Sequence, residues 1–192
     1  MTASRTGRGR PRVSSFRALR HAAGRFDPPY AVAEETESAL RILLRDRDGK
    51  RPDIILRHRH DRRLFFRANY LVVEAAVPGD GPSGDGELRF RFRGPFSRRR
   101  ASLRWRTDVP GGPGWTRRLE DLLLRALDDI QAVESLRILW HARSRTWRLE
   151  LKTLSGSMVG GFMTAMPIAV PLEPAEARGI VALVDALRAT AS

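Results

Sequence analysis

From Glu87 to Arg93 the chain alternates without a break. Leu88, Phe90 and Phe92 take every second position, and Glu87, Arg89, Arg91 and Arg93 take the others. Successive side chains of an extended backbone leave opposite faces, so a two-residue period predicts a strand with one apolar and one charged face. Ser102 to Arg106 repeats the pattern, with Leu103 and Trp105 opposite Arg104 and Arg106. Such strands need one face packed and the other in water.

The rest of the chain supplies neighbours for them. Leu40–Leu44 and Ile54–Arg59 read as strands around a turn-rich loop at 45–52. Leu64–Val77 is the longest extended run and is apolar on both faces, as a central strand requires. Leu136–Ala142 and Thr146–Leu151 form a further pair, and Met158–Leu172 is apolar and extended. Three helices are predicted. One is capped by Ser14 or Ser15 and runs to about Gly24, where Asp27-Pro28-Pro29 ends it. The second starts near Thr116, with Leu119, Leu123 and Leu127 on its inner side. Glu173-Pro174 opens the third, which ends near Arg188, because proline suits a first helical position.

The fold class expected is therefore α+β, a mainly antiparallel sheet with three helices packed on one face and the Arg-bearing strand faces in solvent. Residues 1–13 are expected to be a disordered basic tail and 14–192 a single α+β domain. The Pro110–Gly114 break divides the latter into halves of 14–109 and 115–192. An internal echo, Glu37-Ser38-Ala39-Leu40-Arg41-Ile42-Leu43-Leu44 against Glu134-Ser135-Leu136-Arg137-Ile138-Leu139-Trp140 with one residue aside, suggests two helix-plus-strands units.

Charge narrows the function. The formal net charge is +13, and residues 1–26 hold seven Arg and no acid. Beyond Thr107 the charges balance, so the excess is carried by the first 106 residues. Codon usage in a GC-rich genome explains Arg in place of Lys, but not an excess of either. The absence of Cys excludes disulfides and thiolate metal sites. No apolar run is long enough for a membrane span, and no secretory leader is seen, so a soluble cytoplasmic protein is expected.

Catalytic signatures are missing. There is no nucleophile elbow and no phosphate loop, so no catalytic residue and no cofactor is assigned. His58-Arg59-His60-Asp61 resembles a metallo-hydrolase signature incompletely. On a strand the two imidazoles share a face that Asp61 leaves, so no metal is expected there.

The Arg ladders point instead to a polyanion. Arg57 and Arg59, Arg89, Arg91 and Arg93, and Arg104 and Arg106 each project from one strand face. Neighbouring like charges repel unless an anion neutralises them. Arg17 and Arg20 on the first helix join this set. Phe90, Phe92 and Trp105 lie opposite the Arg residues and read as core. That predicts nucleic acid held by charge and not by sequence. Two other readings stand beside it. Met158, Phe162, Met163 and Met166 form an apolar edge that suits a protein partner or a homodimer in an interaction or chaperone-like module. The basic amphipathic first helix suits peripheral contact with anionic membrane.

Phe65–Val77, Ser155–Pro171 and the Pro171-Leu-Glu-Pro-Ala-Glu-Ala177 run resemble an uncharacterised bacterial protein family of similar length. The resemblance implies a bacterial source and no activity, and it carries no site.

Overall fold

A chain rich in alternating segments closes its backbone hydrogen bonds between strands, and here all the strand pairings are antiparallel. The computed structural model describes residues 11–26, 30–36, 39–44, 53–62, 66–92, 101–105, 113–161 and 168–191. In order they are α1 (Pro11–Ala23), β1 (Tyr30–Thr36), β2 (Ala39–Leu44), β3 (Asp53–Arg62), β4 (Phe66–Pro78), β5 (Gly86–Phe92) and β6 (Ala101–Trp105). Then follow α2 (Pro113–Asp128), β7 (Val133–His141), β8 (Thr146–Gly161), β9 (Ile168–Ala169) and α3 (Pro174–Ala191). The strands form one nine-stranded sheet in the order β1-β2-β3-β4-β8-β7-β5-β6, with β9 alongside the far end of β8.

One face of this sheet is the core. Leu40, Ile42, Ile54, Leu56, Val73, Leu88, Ile138 and Leu149 are buried there. α1 covers it with Leu19, Ala22, Ala23 and Phe26, and α3 with Ile180, Leu183, Val184 and Leu187. α2 packs along α3, and its Leu119 and Leu123, with Ile130 just beyond its end, join the same cluster. The opposite face carries no helix among the described residues. The α+β architecture with helices on one face is thus as the sequence predicts.

Local differences have physical causes. α1 begins at Pro11, three residues before the expected serine caps, so Pro11–Val13 are helical; residues 1–10 lie outside the described part. β1 has no alternation to announce it, and its register with β2 shifts between Val32 and Glu34. β8 does not stop at Leu151 but runs on to Gly161. In this continuation Thr153, Ser155 and Ser157 are buried with their hydroxyls satisfied. Thr153 donates to the Ala132 carbonyl (3.1 Å) and Ser157 to the Thr153 carbonyl (2.7 Å), while Ser157 accepts from the Leu71 N–H (2.7 Å).

The echo falls on β2 and β7, each the first strand of a hairpin. Arg41 pairs with Asp53 and its counterpart Arg137 with Glu87. The surroundings differ, since four strands, β3 to β6, follow β2 before the next helix, whereas β8 and the two-residue β9 follow β7 before α3. Beside β7, two tryptophans clamp the loop that leads into β5. Trp147 donates to the Asp80 carbonyl (2.9 Å), Trp140 to that of Pro82 (2.7 Å), and the two rings lie 4.7 Å apart. Gly81 is needed between them, because a Cβ there would come within 2.6 Å of the Trp140 ring.

Candidate functional site

The open face of the sheet carries Arg57, Arg59 and Asp61 of β3, Glu74 of β4, Glu87 and Arg89 of β5 and Arg148, Glu150 and Lys152 of β8, on the side opposite the core positions, while Tyr70 and Val72 of β4 are buried beneath them. Arg57, Arg59 and Arg89 share this face, as predicted. They are not a uniform cationic plateau. Arg57 Nε lies 3.5 Å from Glu74, and Arg59 Nη1 lies 3.4 Å from Glu150. Lys152 bonds Asp61 (3.1 Å) and rests over the Tyr70 ring, 3.9 Å from its centre.

Register divides the face into two parts. Over β2, β3, β4 and β8, four carboxylates (Asp53, Asp61, Glu74 and Glu150) each pair with a cation, and a hollow of about 580 Å3 is lined by Arg41, Asp53, Ile55, Glu74, Leu139, Arg148 and Glu150. Asp53 there is paired with Arg41 and Glu150 with Arg59; Arg148 is exposed and makes no ion pair among the described residues. Over β7, β5 and β6 the balance changes. Arg137 stands directly opposite Arg89, and Arg89 directly opposite Arg104, so three arginines occupy consecutive positions in one cross-strand row. Neighbouring strands are about 4.8 Å apart, a distance at which like charges destabilise the pairing. Arg91, two residues along β5, is opposite Ser102.

Glu87 is what holds this row together. Its Oε1 accepts from Arg89 Nε at 2.8 Å and from Arg137 Nε at 2.9 Å. The Arg89 hydrogen bond, and then that of Arg137, outweigh the opposing effect of burial and lower the Glu87 pKa from 4.5 to about 2. Arg137 also reaches Glu150 at 4.0 Å, joining the row to the compensated half. Chemically, a row of this kind can bind oxyanions through planar guanidinium forks.

The other expected site residues fall elsewhere. Arg93 and Arg106, with Phe162, Met163 and Met166, lie outside the described residues. Arg17 and Arg20 are exposed on α1, on the helix side of the sheet. Met158 is buried at the foot of α1 and so is not an exposed edge. The apolar side of α1 is packed in the core and is not available to a bilayer while the helix is docked. No helix among the described residues is long and apolar enough to cross a membrane. His58 bonds the Gly156 carbonyl (3.0 Å) and His60 the Asn69 side chain (2.9 Å), while Asp61 turns to Lys152. Arg137 and Glu87 were not singled out from sequence. The signal for Arg137 was its place in the echo; Glu87 opens the same alternation that carries Arg89.

Residues 28–191 match a family model described as "Protein of unknown function (DUF3156)". The chain belongs to this family. No curated protein and no solved structure matches it. The DUF3156 match spans every strand and the Arg137–Arg89–Arg104 row, whereas α1 precedes it. It also contains the three segments that carried the resemblance to an uncharacterised family.

Proposed function

We propose that this chain is a non-enzymatic binding protein that holds a polyanion, nucleic acid first, on the β7–β5–β6 part of its open sheet face. The observation that carries the reading is the row Arg137–Arg89–Arg104, in which Glu87 bridges two of the three and Glu150 stands 4.0 Å from Arg137. Glu87 acts as an internal counter-ion, and a phosphate backbone supplies the negative charge that the row still lacks. By the alternation of the sequence Phe90, Phe92 and Trp105 fall opposite the arginines, so the contact reads charge and not sequence.

Duplex DNA and single-stranded RNA titrated at increasing salt test this, with Glu87→Gln as the decisive variant. The wild type binds at ~50 mM salt with a steep negative dependence of log K on log salt. Glu87→Gln removes the competing carboxylate and tightens binding about five- to tenfold. The same change costs about 1–2 kcal/mol of stability at neutral pH, since it leaves two guanidinium groups facing each other. Because the folded pKa of Glu87 is depressed, this contribution is whole above about pH 4.5 and fades as pH falls toward about 2. No binding at low salt, or weaker binding by Glu87→Gln, would remove the proposal.

A second reading, a protein-interaction module, is favoured by the hollow over β2, β3, β4 and β8. It mixes apolar Ile55 and Leu139 with both charge signs and the exposed Arg148, as a protein partner's surface would.

A further inference from the structure

On the helix side of the sheet, α1 and the β8–β9 pair enclose a cleft of about 400 Å3. Its depth is apolar. Ala22 and Leu172 are 1% exposed and Met158 6%, with Ala169, Val170 and Pro171 forming the outer wall. That wall is backbone, yet its polar groups are satisfied. Gly156, at φ +78°, turns β8 so that its N–H donates to the Val170 carbonyl at 2.8 Å, and Val170 N–H donates to the Ser157 carbonyl at 2.8 Å. A side chain at Gly156 would lie within 2.5 Å of Leu71, so the turn depends on glycine.

The mouth is cationic. Arg17 and His21, one helical turn apart, line it from α1. Arg17 is exposed and has no ion pair among the described residues, and His21 lies 3.3 Å from an Arg25 nitrogen. Residues 1–26 contain no acid to oppose an incoming anion.

We infer that this cleft binds a medium-chain amphiphilic monoanion, a fatty-acid-like carboxylate whose head pairs with Arg17 and whose tail lies against Ala22, Met158 and Leu172. Charge complementarity selects the head, and the apolar floor of Ala22, Met158 and Leu172 selects the tail. The site uses none of the residues of the open sheet face, so it stands or falls apart from the polyanion reading.

Isothermal titration of the full chain with decanoate tests it, with decyltrimethylammonium as the charge-reversed control. Decanoate binds one-to-one in the micromolar range, and the cationic control at least tenfold more weakly. Ala18→Phe fills the cleft and weakens decanoate at least tenfold. Arg17→Glu, at an exposed position that leaves the fold intact by circular dichroism, does the same. Decanoate that fails to saturate below millimolar concentration overturns the inference, as does undiminished binding to Arg17→Glu. Sedimentation showing a dimer that Ala18→Phe dissolves and decanoate does not displace would give the cleft to a second copy instead.

Discussion

Replacing Arg137, Arg89 and Arg104 together by Gln lowers the affinity for duplex DNA by about 10²–10³-fold at ~0.1 M salt. The estimate follows from counterion release, in which each neutralised phosphate contributes about 0.9 to the slope of log K against log salt. Three lost contacts flatten the slope by about 2.7. Gln keeps much of the aliphatic stem and the hydrogen-bonding capacity, so the strands retain their cover while the charge is gone. The matched control is Arg57→Gln with Arg59→Gln, which removes two cations from the same face. Those two are already held by Glu74 and Glu150, so their loss changes affinity by no more than about threefold. Equal losses from the two variants would mean that total charge, and not the row, governs binding.

Glu176→Ala is expected to destabilise the fold by about 3–4 kcal/mol. Glu176 is 2% exposed, and its carboxylate takes three donors. Oε2 accepts from the Glu173 N–H at 3.1 Å, closing a capping box at the start of α3. Oε1 accepts from Ser155 Oγ at 2.7 Å and from the Gln131 N–H at 3.1 Å. One side chain therefore ties the start of α3 to β8 and to the turn that follows α2. Alanine leaves three donors without their acceptor, each costing about 1 kcal/mol or more. For a domain of this size the melting temperature falls by roughly 10 °C. Glu176→Gln keeps one acceptor oxygen and loses about half as much. Urea unfolding of the three proteins checks the order, and a loss below about 1 kcal/mol for alanine would contradict it.

The fold was legible where periodicity is strong. The alternation at 87–92 and the doubly apolar run now seen as β4 identified the strand next to one edge and the centre of the sheet, and Pro174 placed the start of α3. Legibility failed where tertiary contacts override composition. The strand read at Thr146–Leu151 was not carried on through Lys152–Ser157, because nothing local reveals that Ser157 receives the Leu71 N–H. β1 was missed because an edge strand needs no buried alternation.

The site was half legible for a similar reason. Parity within a strand assigns Arg57, Arg59 and Arg89 to one face, but it says nothing about which strands become neighbours. The order β4-β8-β7-β5 brings Glu150 between Arg59 and Arg137 and sets Arg137 beside Arg89. Those partners lie as much as 91 residues apart in the chain, so only topology reveals which guanidinium groups are compensated.

The most direct measurement observes the guanidinium groups one by one. In a two-dimensional NMR experiment on Arg Nε–Hε resonances, the full chain is titrated with a short duplex at low salt. The account predicts progressive, saturable shifts at Arg89 and Arg137, with Arg57 and Arg59 nearly still beside their carboxylates. Shifts concentrated at Arg57 and Arg59, or no shift at Arg89 and Arg137 while the duplex binds, would contradict it.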